Sequence, residues 1–215
     1  MINQDLKNDI HEDQLLTYKV NVERGYKIMG MLEWKEWSTK EIAATIIFGA
    51  AVAASTAAIQ IPVPTTQGYI NLGDTMVMTA ALLFGWRVGL LAGGIGSAMA
   101  DVVTGYPQWA LFTLVIKGLE GLLVGALRST PADGEDDIIL GYLQWRNILA
   151  VIIGGIVMVT GYFIVELFWY GYGDAAVELP GNLFQAVSAM ILSLLITTAV
   201  RKAAPELLLE EEEVS

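Results

Sequence analysis

Residues 72–103 read LGDTMVMTAALLFGWRVGLLAGGIGSAMADVV, an apolar stretch with Arg87 near its middle. One helix through this stretch would be longer than a bilayer requires, since about 20 apolar residues are enough to cross it. An arginine is costly at the centre of the bilayer and favourable at its surface. The sequence therefore predicts two short helices joined by a tight turn at residues 84–87, with Arg87 at the membrane surface.

Composition places the rest of the chain in a membrane as well. The chain has 215 residues, of which 54% are hydrophobic and 16% are charged, whereas soluble domains carry about a quarter charged residues. Four further stretches are apolar and long enough to cross a bilayer: 42–59, 108–127, 148–170 and 183–200. Together with the two halves of residues 72–103, they predict an all-α integral membrane protein with six transmembrane helices.

Several functional classes are excluded by what the sequence lacks. There is no cysteine, so thiolate sites are excluded. The single histidine, His11, is too few for the usual His-based catalytic or zinc sites. No GxxxxGK(S/T) motif for binding phosphates is present. The net charge of -11 disfavours nucleic acid as a partner. The acidic segment 133–137 lacks a glycine at the sixth and a glutamate at the twelfth position of an EF-hand loop. We expect no enzyme activity, no metal and no cofactor.

The basic residues predict the orientation. With six helices both termini lie on one side, and every Lys and Arg except Lys117 falls on that side. The opposite loops, at about 62–71, 105–107 and 171–182, contain no basic residue. Because basic residues collect in the cytoplasm, we expect a multi-pass cell-membrane protein with both termini cytoplasmic. Its predicted parts are a cytoplasmic or interfacial extension at 1–39, a six-helix membrane domain at 40–203 and an acidic cytoplasmic tail at 204–215.

Three charged side chains, Asp101, Lys117 and Glu120, fall within predicted membrane helices. Such groups are costly in a bilayer, so they face the protein interior and either pair or mark a functional site. Lys117 and Glu120 are one helical turn apart and can pair with each other or with Asp101. The pattern is consistent with a structural ion pair and with a ligand site.

Small residues at steps of four predict close helix packing. One ridge, Gly89, Gly93 and Ser97, continues to Asp101 in the third helix. The first helix has two such ridges, and one would be enough for packing within the chain. The second ridge predicts a helix from another subunit. The predicted interface residues are Ala50, Ala53, Ala54 and Ala57.

The first outer loop, residues 62–71, is longer than a plain connector between neighbouring helices needs, which favours a lid that covers a binding site. Asp74 follows it in the first turn of the second helix, where an acid can act as a helix cap or contact a ligand. Polar and aromatic side chains at this outer side form the candidate substrate site: Gln67, Tyr69, Asn71, Asp74, Asp101, Tyr106, Trp109, Lys117, Glu120 and Glu166.

Four motifs are shared with one family of membrane proteins: GYINLGD at 68–74, GIGSAMAD at 94–101, GY at 105–106 and IKGLEG at 116–121. With six short helices and an alanine-rich first helix, the chain resembles the substrate-binding S component of energy-coupling factor (ECF) transporters. The resemblance is to the riboflavin-type subfamily, which also includes hydroxymethylpyrimidine transporters, and it is dense from residue 40 to 127.

The resemblance implies a division of labour. An S component binds a vitamin or vitamin precursor from outside, beneath the first loop, with the outer halves of its helices. It associates through the alanines of its first helix with a transmembrane coupling subunit, which sits on two ATPase subunits. The missing phosphate-binding motif agrees with this arrangement.

Three other functions compete with this interpretation. A proton-coupled secondary transporter of a small polar solute could use Asp101, Lys117 and Glu120 as a relay, but six spans without a convincing inverted repeat disfavour it. An intramembrane enzyme could use a carboxylate as acid or base, yet nothing marks a nucleophile. A purely structural subunit would leave Lys117 and the outer carboxylates unexplained.

Overall fold

The computed structural model describes residues 36–129, 138–140 and 143–204, and these form six helices and two short β-hairpins. The helices are α1 Thr39–Ala58, α2 Gly73–Phe84, α3 Trp86–Thr104, α4 Ala110–Leu127, α5 Trp145–Trp169 and α6 Tyr172–Ala203. Antiparallel pairs form between strands β1 Gln60–Val63 and β2 Gly68–Asn71, and between β3 Ile138–Leu140 and β4 Leu143–Gln144. Most of the predicted extension and tail, and the acidic segment 133–137, lie outside the described residues.

The predicted break in residues 72–103 is confirmed. Gly85 separates α2 from α3, with φ of +91°, a backbone conformation that other residues rarely adopt. Its N–H donates to the carbonyl of Ala81 at 2.9 Å and closes α2. Arg87 then falls in the first turn of α3, at an end of the helix rather than at its middle.

Four helices are long and apolar enough to cross a bilayer: α1, α4, α5 and α6. Helix α2 is also apolar but has only 12 residues, or a length of about 18 Å. The structure therefore confirms an all-helical membrane fold with six helices in the described residues, four of which satisfy the length and composition of a span.

Helices α3 and α4 cross with their backbones in contact. A Cβ added to Gly89 would meet the carbonyl oxygen of Gly121, and one added to Gly121 would meet that of Gly89. Gly93 lies against Val77 of α2 and the carbonyl of Lys117. The glycine ridge of α3 is thus a packing surface, as its spacing predicts, and it brings the charged side chains of α4 next to α2 and α3.

The prediction of an outer loop at residues 171–182 is wrong. Residues 171–182 form the first turns of α6, which begins at Tyr172 and continues past Pro180. Proline usually ends a helix because it lacks an N–H and clashes with the preceding turn, but transmembrane helices tolerate it when their neighbours support the backbone. The consequence is functional, since Glu178 and Asn182 are buried on a helix instead of lying in a loop.

Helix α1 packs on α3 with one face only. Its N-terminus is closed by a capping box, in which Ser38 and Glu41 bond to each other's backbone N–H. Gly49 faces Ala92 of α3: a Cβ added to Gly49 would lie 3.8 Å from the Ala92 Cα. The opposite face is exposed along Ala50, Ala54 and Ala57, with Ala53 half-buried at its border.

The bundle has two chemically different ends. The hairpin end comprises β1 and β2 together with the helix termini around them, at residues 56–74, 97–113, 162–170 and 172–185. The arginine end comprises the α2–α3 turn and the residues bonded to it. There Arg128 donates to the carbonyls of Leu82 at 3.2 Å and Leu83 at 2.5 Å, and Arg201 donates to Leu82 at 3.2 Å and Ser129 at 3.0 Å.

Candidate functional site

A cavity with about 430 Å³ of empty space, its open mouth included, lies at the hairpin end. Five helices and the hairpin contribute to its walls, which are mostly polar or aromatic. The lining residues are Thr56, Gly68, Tyr69, Asn71, Ser97, Asp101, Trp109, Thr113, Lys117, Tyr162, Glu178, Asn182 and Gln185. Small-molecule sites are concave and combine apolar or aromatic walls with a few convergent polar groups. This cavity has those features and is therefore the candidate binding site.

A buried ion trio forms the inner wall of the cavity. The Lys117 ammonium contacts Asp74 of α2 and lies 3.3 Å from Glu120 Oε2, one turn further along α4. All three side chains are at most 2% exposed. A buried lysine needs such partners because its charge is costly in a low-dielectric interior. The pairing of Lys117 with Glu120 is confirmed, while its second partner is Asp74.

The trio is connected to the hairpin through Gln185 of α6. Its amide nitrogen donates to Asp74 Oδ2 at 2.8 Å, and its amide oxygen accepts from the backbone N–H of Asn71 at 2.7 Å. The Asn71 side chain accepts from the Gly73 N–H at 2.8 Å and thereby supports the start of α2. Asp74 therefore serves as an interhelical ion partner, and the amide oxygen of Asn71 bonds the first helical residue.

Tyr69 of the hairpin forms a hydrogen bond with Asp101. The tyrosine hydroxyl donates to Asp101 Oδ1 at 2.5 Å, and the ring packs on Tyr106 with centroids 4.6 Å apart. Burial and the adjacent Asp101 carboxylate raise the pKa of Tyr69 well above its usual value, so the phenol stays protonated and remains a donor. Asp101 is 3% exposed, and among the described residues no group hydrogen bonds to its Oδ2 atom.

The hairpin turn is attached to α4 and α6 at the rim of the cavity. The Thr66 hydroxyl donates to Glu178 of α6, and both side chains are buried. The indole N–H of Trp109 donates to the Gln67 carbonyl at 3.1 Å. Gln67 has φ of +51°, which turns this carbonyl toward Trp109 at the cost of an unusual backbone conformation. These contacts close the hairpin over the bundle.

Aromatic rings form the remaining wall, around Trp109. Its ring centroid lies 5.9 Å from that of Tyr162, 5.4 Å from Trp169 and 6.2 Å from Tyr170. Lys117 Nζ lies 5.3 Å from the centroid of the Tyr162 ring. Burial and the carboxylates of Glu178 and Glu166 raise the pKa of Tyr170. Such rings offer flat surfaces to a heterocycle.

The structure brings the predicted site residues to one end but gives them different positions. Those that line the cavity are Tyr69, Asn71, Asp101, Trp109 and Lys117. Asp74 and Glu120 lie behind Lys117, Glu166 accepts from Asn182 at 3.3 Å behind the wall, and Tyr106 supports Tyr69. Gln67 is exposed and contributes its backbone carbonyl at the rim.

Sequence reasoning missed several residues that share helical faces with the predicted ones. Ser97 lies four residues before Asp101, Thr113 four before Lys117, and Tyr162 four before Glu166. Polar residues at this spacing from an intramembrane charge are a usable signal. Glu178 was missed because residues 171–182 read as a loop. Among the described residues, no group of three or more His, Asp or Glu side chains is arranged to hold a metal ion.

Comparison with known proteins places this geometry in context. A family profile described as "ECF-type riboflavin transporter, S component" matches residues 36–202. An uncharacterized protein from Pyrococcus woesei is 48% identical over 142 residues, which are 66% of this chain and 88% of the relative. The thiamine precursor transporter HmpT of Lactococcus lactis subsp. cremoris (strain MG1363) is 29% identical over 142 residues, or 66% of this chain and 75% of the relative. A UPF0397 protein of Streptococcus pneumoniae is 34% identical over 93 residues, or 43% and 50%.

Proposed function

Because this chain belongs to the family of S components of ECF-type riboflavin transporters, we propose that it captures a vitamin or vitamin precursor outside the cell for uptake. Members of this family are membrane transport subunits and not enzymes. The relative that transports a thiamine precursor supports a precursor-sized heterocycle as the ligand class. The chain's part is recognition, and the energy for transport comes from other subunits.

The cavity at the hairpin end is the observation that carries this proposal. It combines hydrogen-bonding groups, such as those of Asn182 and Asp101, with the flat rings of Trp109 and Tyr162. A heterocycle can stack on the rings while its substituents bond to the polar groups. The hairpin, attached by Thr66 and Gln67, then acts as a lid that opens to admit the ligand.

The charge pattern supports an outward-facing hairpin end. Among the described residues, Lys117 is the one basic residue at the hairpin end, and the others lie in the α2–α3 turn or at the other ends of the helices. The remaining basic residues precede α1 in the sequence. By the preference of basic residues for the cytoplasm, the extension at 1–39, the connector between α4 and α5, and the tail at 204–215 are cytoplasmic. The membrane domain at 40–203 then presents its cavity to the outside with six transmembrane helices.

The exposed face of α1 is the proposed contact with a transmembrane coupling subunit, which binds two ATPase subunits in this family. Ala50, Ala54 and Ala57 are exposed, with Ala53 at the border. A different face of α1 packs on α3, so the exposed alanines are available to another subunit. A continuous strip of small side chains lets another helix approach closely.

Ligand binding by the purified full chain tests the cavity assignment. We would measure affinity by calorimetry for riboflavin, pantothenate, pyridoxine, thiamine and 4-amino-5-hydroxymethyl-2-methylpyrimidine. Ser97→Leu adds a bulky side chain to the cavity wall and should lower the affinity of whichever compound binds by about tenfold or more. Ser55→Leu is the matched control, since Ser55 lies outside the wall. Equal affinities in the two variants would contradict the assignment.

Uptake in cells that also contain coupling and ATPase subunits tests the partner surface. Ala54→Trp should block close helix approach and abolish most uptake, while binding by the purified variant stays at the wild-type level. Ile156→Trp, on the exposed face of α5, is the control and should retain uptake. A loss of both binding and uptake in Ala54→Trp would show instead that this face is needed for folding.

A further inference from the structure

The hairpin-end cavity has an imbalance of charge in its walls. Five carboxylates line the cavity or lie directly behind its wall: Asp74, Asp101, Glu120, Glu166 and Glu178. All are at most 4% exposed. In the part of the chain that the structure describes, Lys117 is the one cationic side chain at this cavity. Buried carboxylates in such excess need additional positive charge or N–H donors to be stable.

Lys117 does not supply the missing charge. Its ammonium group already contacts two carboxylates, those of Asp74 and Glu120, and a third direction faces the ring of Tyr162. The trio therefore carries an excess negative charge when both acids are ionised. An anionic ligand would meet this trio without finding a free cation, so carboxylate and phosphate groups are poor matches for the cavity.

Asp101 has an oxygen that the protein leaves without a partner. Tyr69 bonds Oδ1, whereas Oδ2 accepts no hydrogen bond from any described residue although the side chain lines the cavity and is 3% exposed. The Thr113 hydroxyl accepts from Tyr162 at 3.1 Å and interacts with the Asp101 carboxylate, but no described group meets the geometry of a hydrogen bond to Oδ2. Three more atoms near the cavity are buried without a partner among the described residues: the Thr56 hydroxyl, Glu120 Oε1 and Glu166 Oε2. Of these three residues, Thr56 alone lines the cavity. Buried polar atoms of this kind usually have a partner in the functional state.

The aromatic wall favours the same kind of ligand. Trp109 and Tyr162 both line the cavity, and the faces of such rings attract cations as well as flat heterocycles. Acceptor oxygens on one side and ring faces on the other are a suitable environment for a flat ring that carries a positively charged or donor-rich substituent.

We propose that the ligand is a small heterocycle bearing an amine, which donates to Asp101 Oδ2 while the ring packs against Trp109 and Tyr162. This inference rests on the proposed function, because it names the substrate class of the same cavity. It excludes ligands whose defining group is a carboxylate or a phosphate, and it predicts that a neutral oxygen in place of the amine weakens binding.

Matched ligands that differ in one substituent test the substrate class. One series is pyridoxamine, pyridoxine and 4-pyridoxate, which place an amine, an alcohol or a carboxylate on the same ring. A second is 4-amino-5-hydroxymethyl-2-methylpyrimidine and its 4-oxo counterpart, with riboflavin and pantothenate as amine-free vitamins. We would titrate each into the purified full chain. The tightest ligand should carry the amine and should bind about 10- to 100-fold more tightly than its oxygen counterpart, the effect of one hydrogen bond to a charged group.

The outcomes separate the two proposals. Tightest binding by riboflavin, pantothenate or another amine-free compound would overturn the amine inference and leave the proposed function intact. If the protein binds none of these compounds and none of the remaining vitamins, the proposed function is overturned, together with the inference that depends on it.

Asp101→Asn tests the residue assignment. Asparagine keeps the shape and an acceptor for Tyr69 but loses the charge, so affinity for the amine should fall about 10- to 100-fold while affinity for the oxygen counterpart changes little. Asp174→Asn, in the first turn of α6 and outside the cavity wall, is the matched control and should bind like the wild type. An unchanged amine preference in Asp101→Asn would overturn the role of Asp101.

Discussion

The two ends of the bundle hold charges of opposite sign in different surroundings. At the arginine end, Arg128 and Arg201 donate to backbone carbonyls where α2 finishes, a position where cations also complement the helix dipole. At the hairpin end, carboxylates outnumber the single lysine, and Asp101 retains an unpartnered oxygen beside a cavity. The first set of contacts supports the end of α2, whereas Asp101 is a proposed ligand contact.

The cavity distinguishes the candidate binding residues from buried charges elsewhere in the described residues. Burial alone does not distinguish the ends, because Arg87 is 5% exposed and Asp101 is 3% exposed. The distinguishing feature is the cavity, which Asp101 lines and Arg87 does not. Arg87 lies 3.5 Å from Glu41, and its guanidinium carbon lies 4.2 Å from the centroid of the Trp37 ring.

The largest expected effect comes from comparing one cation at each end, the buried Lys117 and the half-buried Arg128. Lys117→Met removes the ammonium between two carboxylates that are 0% exposed, so the free energy of unfolding should fall by about 3–5 kcal/mol. Arg128→Met should cost about 1–3 kcal/mol, because carbonyls at a helix end are easier to satisfy. Chemical unfolding in mixed micelles measures both. Equal losses would mean that the two ends do not differ in this respect.

Removing the carboxylates along with the lysine isolates the charge. The triple variant Lys117→Met, Asp74→Asn, Glu120→Gln leaves no unpaired charge in the trio, and the amide oxygen introduced by Asp74→Asn can still accept from Gln185. It should recover about 2 kcal/mol relative to Lys117→Met alone. The same unfolding assay decides this. No recovery would mean that packing of the lysine side chain, and not its charge, accounts for the loss.

The sequence predicted the features of both ends that depend on local patterns. Arg87 marked the turn between two helices because arginine belongs at a bilayer surface, and the charges of Lys117 and Glu120 marked a buried cluster because they interrupt an apolar helix. The contact of Lys117 with Asp74 was beyond prediction, since it joins residues far apart in sequence whose meeting depends on how α2 packs on α4.

Two further features of the hairpin end depended on tertiary support. Pro62 and Pro64 indicated extended backbone but did not reveal the pairing of β1 with β2, which requires the unusual conformation of Gln67. Residues 171–182 were predicted as a loop because the long apolar stretch begins at residue 183, whereas α6 begins at Tyr172 and contains Pro180. Glu178 and Asn182 could not be assigned to the cavity wall without that helix.

A moderate effect is expected where the hairpin meets α6. Thr66→Val removes the hydroxyl that donates to Glu178 and should favour opening of the hairpin. Amide hydrogen exchange at residues 63–68 should become about tenfold faster, as expected for the loss of one hydrogen bond, while exchange near Leu82 at the arginine end stays unchanged. Thr65→Val, at an exposed neighbouring position, should leave both regions unaffected. Faster exchange at both ends of Thr66→Val would point to general destabilisation.

The smallest effect is expected for the ion pair at the arginine end. Glu41→Gln removes the charge opposite Arg87. The Glu41 side chain is 23% exposed, and glutamine at this position can still complete the capping box with Ser38. The free energy of unfolding should fall by less than about 1 kcal/mol, and the loss should shrink as salt increases. A loss as large as that of Lys117→Met would remove the contrast between the ends.

The central claim, that the hairpin end faces outward with the cavity and the arginine end faces the cytoplasm, is tested most directly by cysteine labelling in intact cells. The chain contains no cysteine, so Thr65→Cys at the exposed hairpin turn and Lys202→Cys at the exposed end of α6 each create a unique site. A membrane-impermeant maleimide should label Thr65→Cys in intact cells and label Lys202→Cys only after the membrane is opened. Labelling of Lys202→Cys in intact cells, with Thr65→Cys protected until the membrane is opened, would contradict the account.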